Sequence, residues 1–389
     1  MPFGLYIHIP YCQAKCPYCD FNSYAAKRWP EAEYVEALVH ELDHYARQAP
    51  WRGAAIATVF FGGGTPSLFA PASIEQLLSV AFAHWHADDS APPEITLEAN
   101  PGTVSLEKLR ALRAAGVTRL SVGVQSFHGH HLRRLGRIHD AAQAVAAVDQ
   151  ARRAGFENVG IDLIFALPEQ TPAEWESDLA QACRLSPEHI SAYNLTYEEG
   201  TPFAALRRQG VLRPLPEETE VAMFSGTQDM LAAAGYTQYE ISNYARSGYR
   251  CRHNLTYWRG GDYLGVGAGA HSYARATTAG ANAPYGRRWS NERAPDVYLR
   301  CIARRGQACD QVEDLDASRA RGEFVFLGLR CLDGFDAAEF RKRFGDDCPV
   351  LFPRILDLLD GGLLEFCRGR WRLTPRGLLL ADSVFASFL

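Results

Sequence analysis

Over its first 200 residues the chain repeats one rhythm: a short apolar run, a small or polar loop, then a stretch with helical periodicity. The apolar runs are GLYIHI, ATVFFGGG, EITLEAN, TRLSVGVQSF, NVGIDLIFALP and HISAYNLTYEEG, and each closes on Gly, Asn, Pro or a polar cluster. Helical patterns lie between them: roughly 30–48, 73–86, LEKLRALRAAG, DAAQAVAAVDQARRAG and AEWESDLAQACRL. Parallel strands need crossover connections, so this alternation predicts βαβ units and an α/β fold with a parallel sheet. Six units suit an open, partial (β/α)6 barrel of the TIM type better than a closed eight-unit one. A doubly wound sheet is the competing architecture.

Beyond about residue 235 the pattern changes. A Tyr- and Gly-rich stretch (YTQYEISNYARSGYRCRHNLTYWRGGDYLGVGAGAHSYA) runs into residues 275–295, which read as an exposed loop. From about 318 onward come three helical segments, then LLEFCRGRWRLT, a hairpin turning at Arg368-Gly369, then a last helix. Three helices and a hairpin suggest a winged-helix-like α+β domain. The expected division is a barrel over 1–235, a connecting segment over 236–310 and the C-terminal domain over 311–389. Winged helices often bind DNA, but this stretch carries about as many acids as bases, and the whole chain has a formal net charge of −5. No nucleic-acid partner is expected. No apolar run approaches the ~20 residues that cross a bilayer. The opening MPFGLYIHIP lacks the basic n-region of a secretory signal, so a cytoplasmic location is expected.

Of ten cysteines, seven are scattered through mostly apolar surroundings, as reduced core thiols are. The other three crowd into HIPYCQAKCPYCDF: Cys12, Cys16 and Cys19, spaced C-x3-C-x2-C. Three thiolates on one short loop make a soft-metal site. One reading is zinc, with His8 as a fourth ligand. The other is an iron–sulfur cluster held by three cysteines, leaving one iron open to bind something else. Spacing alone leaves both standing.

If the barrel reading holds, site residues belong at the C-terminal ends of strands. Strand two ends in Gly63-Gly64-Thr65, where glycines admit close backbone approach and Thr65 adds a hydroxyl. Strand three ends in Glu98, strand four carries Gln125, and strand five carries Asp162 within an apolar run, where an acid is costly unless partnered.

The cysteine loop, with the aromatic Tyr18 before its last cysteine, resembles that of the radical S-adenosylmethionine (SAM) superfamily. YIHIPYC, FFGGGTPS, LEANP, GVQSF, LGRIHD and GIDLIFALPEQT follow one another as in the HemN/HemW branch, and the likeness covers nearly the whole chain. It implies a radical SAM barrel with a [4Fe-4S] cluster on Cys12, Cys16 and Cys19. The open iron would chelate SAM, which an electron from the cluster cleaves to a 5′-deoxyadenosyl radical. It also implies that Tyr6, Tyr18, Gly63, Gly64, Thr65, Glu98, Gln125, Arg137 and Asp162 bind SAM.

Two activities occur in that branch. The oxygen-independent coproporphyrinogen III oxidase arm has the loop CxxxCxxCxC and an N-terminal extension; here Phe21 stands at the fourth position and eleven residues precede Cys12. The heme-chaperone arm lacks the fourth cysteine and carries an HNxxYW motif, matched by His253-Asn254-Leu255-Thr256-Tyr257-Trp258. The resemblance therefore implies a third cofactor, heme, with His253 as axial ligand and Asn254, Tyr257 and Trp258 around it. Cys251 and His271 are weaker candidate ligands. The expected partners are heme and heme-accepting proteins; a homodimer bridged by heme and membrane contact through a partner are compatible with this. The oxidase and a zinc-stabilised binding module are the alternatives.

Overall fold

The computed structural model describes residues 2–276 and 284–389. The six apolar runs form strands β1 (Pro2–Ile9), β2 (Ala55–Gly63), β3 (Glu94–Ala99), β4 (Arg119–Gln125), β5 (Val159–Phe165) and β6 (His189–Asn194). They pair in parallel and in strict chain order from β1 to β6. A doubly wound sheet would reverse its strand order at a switch point. No reversal occurs, so this is the singly wound arrangement of a partial (β/α) barrel. Both faces are covered, which is why the strands read as near-continuous apolar runs. The intervening helices begin where the sequence supplies caps: Asp140 with Gln143 and Thr171 with Glu174 form reciprocal capping boxes.

The segment 236–310 does not stand apart as a connector. Tyr263–Val266 pairs in parallel with the free edge of β1, and His271–Arg275, Gly286–Asn291 and Cys309–Leu315 follow antiparallel. Asn243–Ala245 pairs with the edge of β6. The exposed loop expected over 275–295 is thus corrected at Gly286–Asn291, a strand whose Trp289 is buried beside Tyr45 and Trp51. Residues 277–283 of that stretch lie outside the described residues.

Glu41, on the helix Glu31–Ala46, ties this extension to the barrel. Fully buried, its carboxylate accepts hydrogen bonds from Gly267 N (2.8 Å), Tyr298 Oη (2.7 Å) and Asn291 Nδ2 (2.7 Å). Burial pushes its pKa up to about 7 despite those donors.

The C-terminal part has its own core, with Phe324, Phe335, Phe340 and Phe344 at its centre. Leu364–Cys367 and Arg370–Leu373 form the expected hairpin, and Phe335–Asp336 adds a third strand. Arg368 and Gly369 both have positive φ (51° and 78°), as a two-residue hairpin turn of the mirror-image type requires. Among the described residues no helix is long and apolar enough to cross a membrane.

Glu41→Ala strands three buried donors at once. It should lower stability by about 3 kcal/mol or more, and Glu41→Gln by less, in urea unfolding.

Candidate functional site

At the C-terminal ends of β1–β6 lies a cavity of about 910 Å³. The cysteine loop forms one wall, the strand ends the floor, and Leu378–Ser383 of the C-terminal domain another wall. All three loop cysteines are free, half-buried, and line it. Each sulfur has a polar neighbour: Thr65 Oγ1 donates to Cys12 Sγ (3.4 Å), Arg137 Nη1 to Cys16 Sγ (3.7 Å), and Ser23 Oγ lies 3.9 Å from Cys19 Sγ. Donors at sulfur favour the thiolate that a metal requires, whereas burial holds the Cys12 and Cys19 thiols up until one binds.

The loop's shape is imposed from below. Lys15 Nζ donates to the carbonyls of Phe21 and Ser23 (3.1 and 2.9 Å), and Asn22 Nδ2 to those of Ala268 and Arg293 (both 2.9 Å). His8 belongs to this support and is not available as the fourth zinc ligand. Its Nε2 bonds to Asn22 O (2.8 Å), its Nδ1 to Tyr6 Oη (3.0 Å), and burial lowers its pKa to about 4. Among the described residues, the ligand atoms gathered within 4.8 Å of one another are those of His128, His130 and Glu174, not the three sulfurs. A tetrahedral zinc with bonds of about 2.3 Å would draw its sulfurs to within about 4 Å. The donor set fits a multi-iron cluster instead.

Gly63, Gly64 and Thr65 line the cavity, but their amides are not aimed into it. Gly63 N donates to Glu98 Oε2 (3.2 Å), Gly64 N to Ile9 O (2.8 Å) and Thr65 N to Tyr11 O (2.9 Å). The glycines serve close packing: a Cβ would sit 2.4 Å from the His8 ring at Gly63 and 2.6 Å from Tyr11 O at Gly64.

Glu98, Gln125, Arg137 and Asp162 come together on the floor as expected. Gln125 sits at a bulge with φ of 68°, which turns its side chain off the strand's regular alternation. Asp162 accepts from Ser121 Oγ (2.9 Å) and Ser191 Oγ (2.6 Å), the two flanking-strand residues that sequence reading missed. Both hydroxyls follow from register, since β4 and β6 flank β5. Glu98 lines the cavity and is half-buried. Desolvation first, and then the Asp162 charge, push its pKa up to about 8; desolvation also raises Asp162. Tyr18 lines the cavity and packs on Phe203. Tyr6 does not reach it; its hydroxyl is held by His8 below the floor.

The HNLTYW residues lie elsewhere. They form the helix Arg252–Trp258 under the other end of the barrel, with Glu94, the first residue of β3, accepting from the amides of Arg252 and His253. His253 is buried, stacks on Phe60 at 5.0 Å, and bonds Thr58 Oγ1 through Nδ1 and Tyr257 Oη through Nε2 (both 2.7 Å). Burial lowers its pKa to about 3. Both ring nitrogens are engaged, so the expectation of His253 as an axial ligand is corrected: here it is a core residue. Cys251 is likewise buried, its thiol donating to Glu94 Oε1 (3.6 Å). Asn254, Tyr257, Trp258 and the exposed His271 do not line the cavity either.

Comparison with known proteins agrees with this geometry. Residues 6–182 match the radical SAM superfamily model and residues 315–380 the HemN C-terminal domain. The chain is 39% identical to heme chaperone HemW of Escherichia coli K12, over all of this chain and 98% of that one. It is 37% identical to heme chaperone HemW of Bacillus subtilis 168, over 99% and 98%. The solved structure of Escherichia coli coproporphyrinogen III oxidase (HemN), a radical SAM enzyme, superposes with a TM-score of 0.81 at 25% identity, covering all of this chain and 90% of that one.

Two measurements test the site as built. A carboxyl whose folded pKa is raised loses stability as pH climbs from its unfolded value, near 4.5, through about 8. In cluster-free protein, Glu98→Gln should therefore gain stability relative to wild type as pH rises from 5 to 8. A gap that stays constant would refute the assignment. His253→Ala should cost about 2–3 kcal/mol in urea unfolding, as a core residue with two buried hydrogen bonds does.

Proposed function

We propose, on the premise that this chain belongs to the HemW heme-chaperone family of the radical SAM superfamily, that it binds heme and hands it to acceptor proteins. Cys12, Cys16 and Cys19 would hold the [4Fe-4S] cluster. Glu98 and Asp162 offer acceptors for the amine or ribose hydroxyls of SAM, and Thr65 and Gln125 further polar contacts. When bound, cluster and SAM together supply one-electron chemistry. The chain's own residues position them. Arg137 spans from Gly123 O (2.7 Å) to the Cys16 sulfur, and the raised carboxyls of Glu98 and Asp162 become charged most readily when a cation arrives between them.

The observation that carries the chaperone reading is Phe21. It is 62% exposed, lines the cavity, and occupies the place of the oxidase pattern's fourth cysteine. With His253 closed off, the reading places heme in the cavity rather than on the HNLTYW helix. A cytoplasmic site of action, and acceptors that draw the chain to a membrane surface or pair it with a second copy, belong to the same proposal. The oxidase remains the second reading because its structure superposes over this whole chain.

Protein purified without oxygen should contain about four irons and four sulfides per chain and no stoichiometric zinc. It should shift the Soret band of added heme, and incubation with coproporphyrinogen III and SAM should yield no protoporphyrinogen. Turnover of the porphyrinogen would establish the oxidase instead.

A further inference from the structure

Three cations line the cavity: Lys15, Arg137 and Arg330. The first two are committed to the cluster loop, Lys15 to the Phe21 and Ser23 carbonyls and Arg137 to Gly123 O and the Cys16 sulfur. Arg330, the last residue of the helix Ala317–Arg330, differs. Its Nη2 forms an ion pair with Oε2 of the buried Glu240 at 3.8 Å, longer than a hydrogen bond. Its Nε is buried without a hydrogen-bond partner, as is Glu240 Oε2. Beside that ion pair a ring holds the guanidinium: it lies over Trp258 with its central carbon 4.3 Å from the centroid.

We propose that Arg330 is the residue that recognises a carboxylate of the cavity's ligand, and that Trp258 is its positioning residue. This rests on the heme reading above and assigns the anchor within it. Stacked on Trp258 and paired through Nη2 with Glu240, the guanidinium keeps Nη1 for a charge-assisted bond to a carboxylate. The wall that the C-terminal domain adds to the cavity is apolar over Leu378, Leu379 and Leu380 and ends in Asp382 and Ser383. An apolar macrocycle carrying carboxylate arms matches that pairing. The placement also gives the HNLTYW motif a role its buried histidine lacks. His253, braced by Tyr257, pins the short helix to Thr58 of the barrel, and Trp258, its last residue, reaches the Arg330 side chain.

The test compares heme with its propionate dimethyl ester, titrated into intact, cluster-loaded protein. Wild type should bind the free acid about ten- to a hundredfold tighter than the diester, the ratio for a charge-assisted pair. Arg330→Gln should bring the ratio close to one, Trp258→Leu should shrink it, and Arg330→Lys should keep part of it. A merely structural Arg330 would shift both ligands equally and leave the ratio unchanged, which would overturn the proposal. Equal binding of acid and ester by wild type would overturn it too, with the chaperone reading intact. Binding of neither ligand would instead remove that reading. Should Arg330→Gln fail to fold, the ratio in Arg330→Lys decides.

Discussion

The open end of the barrel depends on one close approach, that of the Gly63–Thr65 backbone to the cysteine loop. Two amide hydrogen bonds, Gly64 N to Ile9 O and Thr65 N to Tyr11 O, join the end of β2 to the chain leaving β1. They form because no Cβ stands between the two backbones at Gly64, while at Gly63 a Cβ would meet the His8 ring. Thr65 is thereby delivered to the Cys12 sulfur and Gly63 N to Glu98. The thiols and the acids are placed by one turn, so a side chain at Gly64 would displace both.

The cavity is lined by charges of both signs. Near the strand ends, Glu98 and Asp162 lie in a low-dielectric pocket, supported by a backbone amide and two serine hydroxyls but by no hydrogen-bonded cation. Their raised pKa values mark a site awaiting positive charge. At the wall built by the C-terminal domain Arg330 adds a cation, stacked over Trp258 and paired with Glu240.

Legibility followed periodicity. β1–β6 could be read because parallel strands buried on both faces leave uninterrupted apolar runs. Tyr263–Val266 and Gly286–Asn291 could not: they are short, Gly-containing edge strands whose partners come from distant segments, and GRRWSN looks like a loop until Trp289 is seen in the core. Glu98, Gln125 and Asp162 stood out because polar groups at strand ends contrast with apolar text, the cysteines by their spacing and Arg137 by the family resemblance; all of them line one cavity. Ser121 and Ser191 were missed because a serine in a strand carries no signal of its own; only register brings them to Asp162. His253 was read as a ligand, and His8 as one only in the zinc alternative, because an imidazole has the same letter whether its nitrogens are free or bonded.

By itself, then, the sequence determined the singly wound α/β architecture, the three-thiolate loop and the acids beneath it, because these rest on local spacing and on the apolar periods of consecutive elements. Tertiary structure alone decided which imidazoles were spent on hydrogen bonds, that the region after residue 236 extends the barrel's sheet, and that Arg330 from the C-terminal domain faces the same cavity as Cys12. Those outcomes depend on contacts between segments hundreds of residues apart, which no local pattern encodes.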